Sequence, residues 1–78
     1  MGINRHHNAA LESDIAIRLT NVRRNSGIKQ STVAQHIGVT GSCVSQWELG
    51  VSYPQSWSRW QQWADAVGEK LTISLEAK

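Results

Sequence analysis

The chain has 78 residues, with 8 Lys and Arg against 6 Asp and Glu and one cysteine, enough for a single domain that buries roughly 60–65% of the surface it exposes when unfolded. One cysteine excludes an internal disulfide and no Cys/His set has zinc-ligand spacing, so the fold must rest on packing or on a partner subunit. No apolar run approaches the ~18 residues of a membrane span, and the opening MGINRHHNAALESD lacks the apolar segment of a signal peptide, so a cytoplasmic protein with no membrane partner is expected.

Residues 1–10 show no periodicity and read as an arm, with Arg5, His6 and His7 available to a partner. From about Leu11 the apolar residues Leu11, Ile15, Leu19 and Val22 recur at helical spacing, with Ser13 or Asn8 as candidate caps. The stretch Asn25-Ser26-Gly27 should end this helix, with Arg23 and Arg24 in its last turn. A short helix follows from about Gln30 to His36, with Val33, Ala34 and Ile37 turned inward and Gly38 at its end. Thr40 is a good N-cap for a further helix running to about Leu49, where Gly50 can terminate it. Two short helices separated by three or four residues, with a glycine in the bend, form a helix-turn-helix over about residues 30–49.

The segment Val51-Ser52-Tyr53-Pro54 reads as a loop. From Ser56 to Val67 the residues Trp57, Trp60, Ala64 and Val67 line one helical face, Trp63 widens it, and Gly68 closes it. The tail then changes period: Leu71, Ile73 and Leu75 alternate with Thr72, Ser74 and Glu76, as in a half-buried strand. A lone strand leaves its backbone amides without partners, and the simplest remedy is pairing with the same strand of a second subunit. The expected organisation is an arm over 1–10, a helical domain over 11–70 and a dimerising strand over 71–78.

Charge is uneven along this plan. Residues 1–29 carry five Lys/Arg and two acids, whereas residues 30–47 carry no charged side chain and are rich in Gln, Ser and Thr. A basic front suits nucleic acid or an acidic partner.

The run IRLTNVRRNSGIKQSTVAQHIGVTGSCVSQWELG, followed by Pro54 and WADAVG, resembles the Xre-like family of Cro and repressor helix-turn-helix regulators of phages and bacteria. The similarity spans about Ile15 to Leu71, with Arg23, Gly27, Gln30, Ala34, Gly38, Val44, Glu48 and Gly50 standing where the family pattern has them. It implies a mostly α, lambda-repressor-like bundle of four to five short helices, here with a C-terminal β-strand for dimerisation. It also implies that the helix after the turn enters the DNA major groove. Gly41, Ser42 and Gln46 then take the positions that look at base edges, and Ser45 faces a phosphate or a flanking base. Gln46 suits adenine, whose N6 and N7 its amide can pair bidentately. Gln30, Thr40, Lys29 and Arg24 become backbone contacts, and Arg5 a further one from the arm. Arg23 and Glu48 match an internal ion pair, with Arg23 on phosphate as the alternative.

The tail resembles that of members that dimerise through an added strand, so Leu71, Ile73 and Leu75 are expected at a dimer contact, joined by Trp57 or Trp63. The other tryptophans read as core, since an aromatic stripe at helical spacing is usually buried. His36 and Cys43 have no second ligand or acid at useful spacing, so no metal, cofactor or catalytic role is expected. The expected function is that of a phage Cro or immunity repressor acting as a homodimer on inverted-repeat operators in double-stranded DNA inside a bacterial host cell. An antitoxin that binds its own promoter and a toxin protein is the alternative. Neither is an enzyme.

Overall fold

The computed structural model describes residues 9–70, and four helices lie there: α1 (Ala9–Asn25), α2 (Gln30–Ile37), α3 (Gly41–Leu49) and α4 (Trp57–Ala66). No strand occurs among the described residues. The expected strand with Leu71, Ile73 and Leu75, the cap candidate Asn8 and the arm residue Arg5 all lie outside them.

Helix α1 begins at Ala9 rather than Leu11, because alanines are strong helix formers and extend a helix that apolar periodicity alone would start later. Ala9 and Ala10 thus belong to the helix, and Ser13 is inside it instead of capping it. Ala16 and Leu19 are buried, with Ile15 and Val22 packed beside them. The buried Thr20 hydroxyl is satisfied locally, donating to the Ala16 carbonyl at 2.7 Å. At the far end the Ile28 amide donates to the Arg23 carbonyl and the Gly27 amide to that of Arg24, both at 3.1 Å, which is the paired bonding of a Schellman stop.

The bend between α2 and α3 is built on Gly38, whose φ of +89° belongs to the left-handed region that favours glycine. Its amide and that of Val39 both donate to the Ala34 carbonyl, at 2.8 and 3.0 Å, so α2 closes and α3 can start three residues later. Thr40 caps α3, its hydroxyl accepting from the Cys43 amide at 3.1 Å. Gly41, Ser42 and Cys43 are weak helix formers, and this cap together with burial of Val44 and Trp47 holds a helix that would not persist alone.

The core is a single cluster: α2 packs on α3 and α4, and α1 packs on α3. At its centre Trp63 has no exposed surface, lying 5.3 Å from Trp47 and 5.5 Å from Trp60 between ring centroids. Tyr53 extends the stack, 5.8 Å from Trp60. The expectation of Trp63 at a dimer contact is therefore corrected. Its position in the middle of the aromatic ladder leaves it nothing to offer a second subunit, whereas Trp57, at the helix start, is only half-buried. Helix α4 is capped by Ser56, which accepts from the Arg59 amide at 3.2 Å.

Candidate nucleic-acid interface

Helix α3 has two unlike faces. Val44 and Trp47 point into the core, while Ser42, Ser45, Gln46 and Leu49 follow one another at i, i+3, i+4 and i+7 along the opposite side. Ser42, Gln46 and Leu49 are exposed, and Ser45 and Gly41 are half-buried at the margins of this face. The structure thus brings the four expected base-facing positions to one surface. It adds Leu49, which is 75% exposed, and after it Val51, 70% exposed. The sequence reading left both out, although the spacing of Leu49 from Ser42 and Gln46 already placed it on the outer face.

A polar cluster fixes the orientation of α3. The Arg23 guanidinium donates from Nε to Glu48 Oε2 at 2.6 Å and from Nη2 to Oε1 at 3.0 Å, the two-pronged geometry that a planar fork and a carboxylate share. The pair is buried, with side-chain exposures of 12% and 4%. Nη1 of Arg23 donates to the Ile28 carbonyl at 2.7 Å, so the same side chain also ties down the turn after α1. Gln30 donates from Nε2 to Glu48 Oε1 at 2.8 Å. Three helices therefore meet on one carboxylate. The ion pair expected between Arg23 and Glu48 is present, and the guanidinium is committed to it rather than offered outward.

Gln30 was expected to hold a phosphate, and here one of its amide hydrogens is directed to Glu48. A glutamine amide carries two donor hydrogens, so this bond restrains the side chain without exhausting it. The start of α2 has no side-chain cap, since Lys29 supplies none; the Thr32 and Val33 amides return to the Lys29 carbonyl at 3.0 and 3.2 Å, and those of Gln30 and Ser31 remain for an outside acceptor. Lys29 and Arg24 are exposed. Each adjoins in sequence a residue bonded to Glu48, Gln30 and Arg23 respectively. Thr40 is exposed as well, its hydroxyl accepting from Cys43 and keeping its own hydrogen to donate.

Elsewhere, Arg18 pairs with Glu69 at 3.0 Å, and His36 Nε2 lies 3.4 Å from Asp65 Oδ2, both on open surface. Arg59 donates to the Ile37 carbonyl at 3.1 Å, linking α4 to the end of α2. Cys43 is half-buried against the core. Among the described residues no three His, Cys, Asp or Glu side chains gather as a metal site would need. No helix among them is long and apolar enough to cross a membrane. No protein-family model, curated protein or solved structure matches this chain.

Proposed function

We propose that this chain is a sequence-specific DNA-binding regulator of Xre/Cro type, acting as a dimer on inverted-repeat operators. The observation that carries the reading is the way α3 is held: a part-buried three-residue cluster locks one side of the helix while Ser42, Ser45 and Gln46 occupy the other. A recognition helix needs both conditions, because base-edge hydrogen bonds discriminate only if the side chains arrive in fixed register.

In this reading α3 lies in the major groove. Gly41 and Ser42 keep its first turn slim enough to approach the bases, and Gln46 pairs with adenine, worth about 1–3 kcal/mol of discrimination. Ser42 takes a neighbouring base and Ser45 a phosphate or flanking base. Lys29, Arg24, Thr40, the second amide hydrogen of Gln30 and the backbone amides of Gln30 and Ser31 hold phosphates, with Arg5 joining from the arm. With no cation on the outer face of α3, sequence is read by neutral groups and affinity comes from the flanking cations. Two subunits joined through residues 71–78 would set two such helices ~34 Å apart, and occupancy of the operator would exclude polymerase or a rival regulator.

Selecting bound fragments from a random DNA pool tests this directly. The expected product is an inverted repeat with half-sites centred about one helical turn apart and an A·T pair at a fixed place in each. Recovery of no common sequence would reject the reading. The exposed Leu49 and Val51 favour a second one, an antitoxin whose apolar patch beside the recognition helix meets a toxin protein. Under it, Leu49→Ser would leave the selected DNA bound and release the protein partner.

A further inference from the structure

The apolar face of helix α1 extends past the residues it buries: Ile15 and Val22 pack at the margin of the core, and Leu11 stands in line with them. Leu11, Ile15 and Val22 stand at i, i+4 and i+11, with Arg18 at i+7 between them, so the four form one flank of the helix. Leu11 is 46% exposed, and Ile15 and Val22 are half-buried. The chain leaving α4 is led to this flank. After α4 the Glu69 amide returns to the Ala64 carbonyl at 2.9 Å, and the Glu69 carboxylate accepts from Arg18 Nε at 3.1 Å and Nη2 at 3.0 Å. Residue 69 is thereby pinned to the middle of the apolar line, and Leu71 is two residues on.

We propose that this flank of α1 is the docking strip for the apolar face of residues 71–75 of the same chain. The chemistry matches: Leu71, Ile73 and Leu75 present one apolar side in extended conformation, and Thr72 and Ser74 the other. The lengths match too. From Arg18 to Leu11 the helix rises about 10 Å, and four to six extended residues beyond Glu69 reach about 13–20 Å. The Arg18–Glu69 bond makes the chain's own segment the favoured occupant, because a tether of one or two residues holds it at an effective concentration that a second copy in dilute solution does not reach. Docking uses side chains and leaves the strand's backbone edge open. It therefore goes beyond the dimer reading, supplying cover for the strand's apolar face whether or not that edge pairs with another subunit.

Cysteine cross-linking in the full chain, with Cys43→Ala to remove the native thiol, tests the strip. Two pairs are made, Ile15→Cys with Ile73→Cys and Leu11→Cys with Leu75→Cys. Under mild oxidation each should lose its thiols and stay a monomer on a non-reducing gel, since a disulfide needs Cα atoms within about 7 Å. Ile17→Cys with Ile73→Cys, on the opposite side of α1 from Ile15, should close far more slowly. Adding Arg18→Ala should slow the Leu11 pair about two- to fivefold, the range open to an exposed ion pair. Persistent thiols in both pairs, a covalent dimer as the main product, or equal closure of the Ile17 pair would each overturn the proposal. No DNA is present, and the dimer is read separately by sedimentation, so this result and the function reading fail independently.

Discussion

Replacing Glu48 with alanine should remove the lock on α3 and cost a large part of the domain's stability. The carboxylate receives two bonds from Arg23 and one from Gln30, and both members of the ion pair are close to fully buried. Without it, the guanidinium keeps only the Ile28 carbonyl. Leaving one member of a buried pair uncompensated costs about 3–5 kcal/mol. A chain of 78 residues, at ~0.05–0.15 kcal/mol per residue, has only about 4–12 kcal/mol in all. Urea unfolding followed by tryptophan fluorescence would report the loss well, because Trp47, Trp60 and Trp63 sit in the core beside α3. The double variant Arg23→Met with Glu48→Leu should recover most of that loss, since well-packed apolar replacements of a buried pair are often neutral or stabilising. A cost for Glu48→Ala below ~1 kcal/mol, the range of a solvent-exposed pair, would refute the argument that burial makes this contact matter.

Gly50→Ala should destabilise by about 1–2 kcal/mol for its left-handed backbone, and the new methyl would also stand 3.2 Å from the Tyr53 hydroxyl. Adding Tyr53→Phe should restore only part of the loss in thermal unfolding, because the backbone strain remains. Thr40→Ala should cost about 1 kcal/mol through the lost cap on α3, seen as a lower urea midpoint at unchanged slope. Deleting residues 71–78 should give a monomer in analytical ultracentrifugation, and a truncated chain that stays dimeric would refute strand pairing.

The sequence was most informative where a contact is local. The stops at Gly27, Gly38 and Gly50 and the cap at Thr40 depend on residues within a turn of one another, and they lie where the pattern put them. Apolar spacing also separated the core face of α3 from its outer face. It did less well on α4, because a period says which side of a helix is apolar and not what that side meets. Trp57 and Trp63 looked equivalent, yet one is half-buried and the other is enclosed between two indoles. The start of α1 was displaced because Ala9 and Ala10 add helix propensity without marking a face. Gln30 was recognised as a residue at the head of α2, but its bond to Glu48 spans 18 positions and depends on how α2 and α3 cross, which no local spacing reveals.

The central claim, that α3 reads DNA bases, rests most heavily on Gln46. The most direct test is to compare wild type and Gln46→Ala on the selected operator and on random duplex, in the same salt, and take the ratio of the two affinities. That ratio should fall by roughly 5- to 150-fold per subunit contact, equivalent to about 1–3 kcal/mol, with random-duplex binding nearly unchanged. An equal loss on both DNAs, or none on either, would contradict it.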